Sequence, residues 1–187
     1  MTAAGPVLRR EGITRAGRPF LIRPSRDSDA PELAALIDAV AAEGEFLVAV
    51  PGEHDTVEQS ARLVSIVMEG GLSLSLVVDG SLAGNVMVHR RAGRHYAHVA
   101  EIAILVSNGH RREGLGRILM ETGIAWSRAV GVAKLSLQVF PDNLGAIQLY
   151  RSLGFREEGI ASGEVRMPTG DRDVLLMALM LQAPGSP

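Results

Sequence analysis

Seven residues, Arg111-Arg112-Glu113-Gly114-Leu115-Gly116-Arg117, stand between a strand-like apolar run and a helix-like apolar run. A segment of that type can bind an anion. Amides in the first turn of a helix have no internal acceptor and point outward. The helix dipole adds partial positive charge at the same place, and glycine lets the backbone come close to a ligand. A pyrophosphate suits such a turn. The segment is not a P-loop, because no Gly-Lys-Ser/Thr follows. It is not a dinucleotide fingerprint either, because no third glycine follows Gly116 at the required place. Geometry alone leaves two readings open, an anion site and an ordinary strand-to-helix turn.

The flanking pattern places this loop within an alternation of strands and helices. Phe20 to Arg23 reads as a short strand, and Leu33, Leu36, Ile37 and Val40 then recur at helical spacing. Thr56-Val57-Glu58-Gln59 has the capping-box form and opens a second helix that Gly70-Gly71 ends. Leu72–Val78 and Leu82–His89, joined by Asp79-Gly80, read as a hairpin. His98 to Val106, dense in Ile, Val and Leu, reads as a central strand. A helix follows from Gly114, then a strand from Lys134 to Phe140, a short helix capped by Asn143, and two final strands. Hairpins first and helical crossovers later predict an α/β (α+β) fold, a mixed and mostly antiparallel sheet flanked by helices. Residues 1–18 read as a flexible arm, 19–182 as one domain, and 183–187 as a tail.

Bulk properties agree. A chain of 187 residues fits one domain. With 19 basic against 21 acidic side chains the net charge is −2, which argues against a general nucleic-acid binder. The absence of cysteine excludes disulfides, thiolate metal sites and a cysteine nucleophile. The longest apolar run, Val174 to Leu181, is too short to span a bilayer and suits a buried strand. A cytoplasmic protein without membrane attachment is expected.

Arg111-x-x-Gly114-x-Gly116 matches the [Gln/Arg]-x-x-Gly-x-[Gly/Ala] signature of the GNAT (Gcn5-related) N-acetyltransferases. The strand Glu101 to Val106 precedes it, as the family's fourth strand does. Asn143-x-x-Ala146-x-x-Leu149-Tyr150-x-x-x-Gly154-Phe155 resembles the family's second motif. The resemblance is densest over 99–158 and its order of elements extends over 20–182. It implies the acyl-CoA N-acyltransferase fold, with acetyl-CoA as acyl donor and no metal. The resemblance also implies that the pyrophosphate lies on the amides of Arg111, Arg112, Glu113, Gly114, Leu115, Gly116 and Arg117. The pantetheine arm would pair with the backbone of Ile104, Leu105 and Val106, and Asn143 and Tyr150 would line the same cleft. Family members are often homodimers, but no residue pattern here marks an interface.

Acetyl transfer to an amine needs a neutral amine, a stabilised oxyanion and a departing thiolate that is protonated or tolerated. The resemblance makes Tyr150 the acid, since a phenol can donate to the sulfur; an apolar helix face with Leu149 and Leu153 is the structural alternative. Where some members carry a glutamate twelve residues before this tyrosine, this chain has Gln138. Glu101 matches the position other members use. Its apolar neighbours Ala100, Ile102 and Ile104 suggest a partly buried carboxylate with a raised pKa; a strand-end glutamate paired with arginine, or a water chain in place of a base, stays open. The oxyanion would meet the amide of Leu105 or Val106, where the family's strand commonly bulges. His95 and His98, three apart, would fall on opposite faces of a strand and could not share a metal. Glu43, Glu45 and Phe46 stand where the acceptor would be bordered, and Arg90, Arg91 and Arg94 form a basic turn. The expected activity is direct attack of a primary amine on acetyl-CoA in a ternary complex. The amine would be a small molecule, an amino acid or a peptide N-terminus. The alternative is a GNAT-fold module that binds CoA for regulation without acetyl transfer.

Overall fold

A computed structural model of the chain describes residues 8–44, 46 and 56–181. The first seven residues of the expected arm, Glu45, residues 47–55 of the expected loop and the C-terminal 182–187 lie outside the described residues. The elements are β1 (Arg10–Ile13), β2 (Pro19–Pro24), α1 (Ala30–Ala41), α2 (Thr56–Met68), β3 (Leu72–Val78), β4 (Ser81–Arg90), β5 (Val99–Val106), α3 (Leu115–Ala129), β6 (Lys134–Val139), α4 (Leu144–Ser152), β7 (Arg156–Met167) and β8 (Gly170–Met180). The strands form one sheet in the order β1-β2-β3-β4-β5-β6-β8-β7. Only the β5–β6 pair in that sheet is parallel. The mixed, mostly antiparallel sheet flanked by helices is therefore observed. Among the described residues no helix is long and apolar enough to cross a membrane.

Strand alternation sorts the side chains onto two faces. Leu72, Leu74, Leu76, Val86, Val88, Ala100, Ile102, Leu135 and Leu137 enter one core with Leu115 and Leu119 of α3 and Ile147 and Tyr150 of α4. On the other face, Ala30 and Leu33 of α1 meet Leu63 of α2. That second face also carries a buried polar network. The Asp29 carboxylate receives Arg23 through both oxygens, at 2.7 and 2.8 Å, and the Ser75 hydroxyl at 2.8 Å. The Arg26 amide donates to it at 2.9 Å, which fixes the turn into α1.

Burial pushes the Asp29 carboxyl up, but hydrogen bonds from Arg23, the Arg26 amide and Ser75 outweigh it and hold the group at about 2. A carboxyl depressed in the folded state contributes stability that is present above its unfolded value, roughly 3.9, and is lost as pH falls through the folded value. Asp29→Asn should therefore cost about 2–3 kcal/mol at neutral pH. That falls below the roughly 3–5 kcal/mol for breaking a fully buried pair, since the Arg23 side chain keeps 15% exposure. Denaturant melts as a function of pH check this. The gap between parent and variant should close as pH falls from about 5 toward about 2.

The arm expected over 1–18 is corrected where it is described, from residue 8 on. Arg10–Ile13 is a strand, with Arg10 opposite Ile22 and Ile13 opposite Pro19. The turn behind it is fastened by Thr14, whose hydroxyl accepts from the amides of Ala16 and Arg18, both at 3.2 Å. β1 is an edge strand with mostly exposed side chains, so no apolar alternation marks it. His95 is likewise not on a strand. It sits in a 3-10 turn, Arg94–Tyr96, where Arg91 stacks on the Tyr96 ring at 4.7 Å.

Candidate functional site

The loop that joins β5 to α3 presents an unusual run of free backbone donors. Among the described residues, the N–H groups of Arg112, Glu113, Gly114, Leu115, Gly116 and Arg117 meet no acceptor. Two residues in this run have left-handed backbone, Arg112 at φ 62° and Gly114 at φ 87°. Left-handed residues in such a run belong to the backbone patterns from which concave anion sites are built. Gly114 caps α3 without a side-chain hydrogen bond, so the helix's positive end is open. Free amides at an open helix end are what an anion site needs.

β5 and β6 begin as neighbours and then separate. Their pairing covers Val99/Lys134, Ala100/Leu135 and Glu101/Ser136 and goes no further, although the strands run on to Val106 and Val139. The β6-facing edge of β5 from Ile102 to Val106 therefore has no strand beside it, and Ile104, Leu105 and Val106 are half-buried. An unpaired strand edge offers donors and acceptors at regular spacing to an extended ligand with amide groups. The expected bulge at Leu105–Val106 is not found, because β4 and β5 pair without a break from Gly84/Val106 to Arg90/Ala100.

Glu101 and Tyr150 come to opposite faces of the sheet at this split. Ala100 and Ile102 enter the core beneath α3 and α4, so alternation turns Glu101 the other way. There it is exposed, not partly buried as its apolar neighbours suggested. It lines a cleft of about 270 Å³ with Arg91, Lys134, Ser136, Gln138 and Glu158. Lys134 in that cleft is paired with Glu158 at 2.6 Å. Tyr150 lies on α4 within the opposite core, 8% exposed, its ring 6.0 Å from that of Phe155. Burial pushes its phenol up to about 12. The hydroxyl has no hydrogen-bond partner among the described residues and is not among the buried, unsatisfied side-chain atoms.

Other side chains of the two motifs serve the frame. Asn143 caps α4 by accepting the Ala146 amide at 3.1 Å. Arg111 points away from the free amides. Its guanidinium donates to both oxygens of Glu43 at 2.6 and 2.7 Å, to the Val106 carbonyl at 3.2 Å, and stacks on Phe46 at 4.4 Å. Arg117 donates to the Ser152 hydroxyl at 2.5 Å and so ties α3 to α4. Glu113 also turns away, toward the β1–β2 turn, where Arg18 donates to it. The Arg15 amide donates to the Glu113 carbonyl at 3.3 Å. Sequence reasoning missed Thr14, Arg15 and Arg18, since nothing local links a turn near residue 15 to a loop near residue 113.

Comparison with known proteins agrees with this geometry. Over 76 residues the chain is 42% identical to the [Ribosomal protein bS18]-alanine N-acetyltransferase of Escherichia coli K12, covering 41% of this chain and 51% of that protein. The chain thus spans about half the length of such relatives in these matches. It is 27% identical over 168 residues to the streptothricin acetyltransferase of Streptomyces lavendulae, covering 80% of this chain and 88% of the other. The structure of yncA from Salmonella typhimurium has the same fold, with a TM-score of 0.81, 20% identity, and coverage of 90% of this chain and 97% of that one. The family model described as Acetyltransferase (GNAT) family matches residues 40–155, a stretch that holds the free-amide loop, the split strands and Tyr150, and the chain belongs to that family.

Proposed function

We propose that the chain is an N-acetyltransferase that moves an acetyl group from acetyl-CoA to a primary amine by direct attack in a ternary complex. The observation that carries this reading is the run of six unpartnered amides, Arg112 to Arg117, at the mouth of the split between β5 and β6. An anionic pyrophosphate suits the first feature, and an extended pantetheine arm with its two amides suits the second. The yncA neighbour was solved with its cofactor acetyl-CoA, which supports the same donor here.

In this reading the backbone of Ile104, Leu105 and Val106 holds the pantetheine and the carbonyl to be attacked. The amine enters from the cleft on the Glu101 face. Its nitrogen forms the new bond to the acetyl carbon as the carbon–sulfur bond breaks. The amine proton leaves toward Glu101 or a water in the cleft, and Tyr150 donates to the departing sulfur from the other face. The relatives' names include enzymes acting on a ribosomal protein's alanine and on streptothricin, so the acceptor class is an amino or peptide amine or a small-molecule amine. Dependence on acetyl-CoA fits a cytoplasmic protein. A regulatory CoA-binding module is favoured by one observation, Gln138 in the cleft where a glutamate could have been.

Calorimetric titration tests the reading. Acetyl-CoA should bind at least roughly tenfold tighter than ADP, because the strand edge adds contacts that a nucleotide lacks. Equal binding of the two would remove the pantetheine assignment. Binding without release of free thiol across a panel of amines would favour the regulatory module.

A further inference from the structure

The loop's acid is the feature that the family signature leaves unexplained. Glu113 lies in the middle of six unpartnered amides, and in the acetyl-CoA reading a carboxylate there competes with the phosphates and repels them. In this chain the carboxylate is drawn out of the loop. Its side chain is 12% exposed and paired with Arg18, whose guanidinium also donates to the Gly109 carbonyl at 3.0 Å. The Thr14 hydroxyl and Arg18 together hold the carboxyl below its ordinary value. The Arg18 Nε and the Glu113 Oε2 remain buried without partners among the described residues. Such a half-satisfied pair is a weak source of stability. Its clear consequence is positional.

We propose that the β1–β2 turn is part of the acyl-donor site, with Arg18 as a positioning residue that neutralises Glu113 and keeps its carboxylate off the amides of Arg112 to Arg117. This rests on the acetyl-CoA reading given above. The turn and the loop meet because β2 starts at the same end of the sheet as β5 finishes, as the three antiparallel pairings between them require. One backbone hydrogen bond, from the Arg15 amide to the Glu113 carbonyl, and the Arg18 side chain hold them together. Arg15 adds a second cation whose Nε lies 3.6 Å from where a side chain on Gly114 would begin. Loss of Arg18 frees an unpaired carboxylate beside the phosphate path and leaves the thioester end untouched.

The test is calorimetric titration of the whole chain with acetyl-CoA, with circular dichroism to report folding. Arg18→Ala should weaken binding by roughly tenfold or more. Adding Glu113→Gln to that variant should recover most of the loss, which a merely structural role for Arg18 would not allow. Glu113→Gln alone should bind acetyl-CoA more tightly than the parent, and it keeps the idea open to refutation if Arg18→Ala fails to fold. Parent-like affinity in Arg18→Ala, an unrescued double variant, or weaker binding by Glu113→Gln would each overturn the proposal. No acetyl-CoA binding by the parent would instead overturn the donor assignment on which it rests.

Discussion

Gly116→Glu is expected to lose acetyl-CoA affinity by roughly a hundredfold while melting no lower than the parent. The two halves of that outcome have separate causes. A Cβ on Gly116 would lie 3.5 Å from a Leu149 methyl and 3.6 Å from an Ile104 methyl, which is ordinary contact, so the first carbon fits. Glutamate is a better helix former than glycine by about 0.5–1 kcal/mol, and an acid in the first turn of α3 complements the dipole. Stability should therefore hold or rise. The rest of the side chain must run between β5 and α4 and bring a carboxylate to the free amides. Two like charges about 5 Å apart repel by roughly 3 kcal/mol at an effective dielectric constant near 20, which is about a hundredfold in binding. Gly116→Ala adds the carbon without the charge and should cost much less. Thermal melts and titration of the three proteins decide it. Parent-like affinity in Gly116→Glu would mean that the phosphates do not pass this helix end.

The same contrast between local and distant determinants explains which parts of the molecule were legible. Strands with one buried face alternate, so β3 and β4 and their Asp79-Gly80 turn could be read directly. Both turn residues have positive φ, 50° and 83°, as a two-residue hairpin of this hand requires. In the loop 111–117 the glycine spacing alone leaves two readings open and the family resemblance points to one of them; of its two glycines Gly114 takes a positive φ and Gly116 is helical. β1 was not legible, since an exposed edge strand needs no apolar pattern. The environment of Glu101 was misjudged for a related reason. Its neighbours in sequence, Ala100 and Ile102, are on the opposite face in space, so an apolar context along the chain says nothing about burial across the sheet. Arg111 had a position that was readable and a partner that was not. Its bidentate contact with Glu43 spans 68 residues. Sequence spacing carries no record of such a pair.

That pair bears on how the segment after α1 is held. Arg111, in the loop after β5, grips Glu43 and Phe46, while Arg172 of β8 donates to the Gly44 carbonyl at 2.8 Å and to Asp142 at 2.6 Å and stacks on Phe140 at 3.7 Å. Residues following α1 are thus held from the β5 side by one arginine and from beyond β6 by another, across the line on which the two strands part. The loop 111–117 and the segment after α1 share Arg111.

Tyr150→Phe is expected to lower turnover by roughly a hundredfold or more while changing the Michaelis constant for acetyl-CoA little. The ring stays in the core against Phe155. Its hydroxyl has no hydrogen bond to lose among the described residues, so removing it should leave stability level or slightly higher. A phenol held at about 12 stays protonated throughout the working range. Full transfer of its proton to a thiolate with a pKa of roughly 8.5 would be uphill by about 4–5 kcal/mol. In the proposed reaction Tyr150 therefore acts as a hydrogen-bond donor to charge as it gathers on sulfur. Such a contact is made in the transition state and hardly at all in the ground state. An interaction of that kind is seen in kcat and not in donor affinity. The parent's rate should accordingly show no descending limb from this residue below about pH 11. With an acceptor amine in hand, paired kcat and KM values and a thermal melt separate the cases. Equal turnover in Tyr150→Phe would make the residue a core aromatic and leave the departing sulfur to solvent.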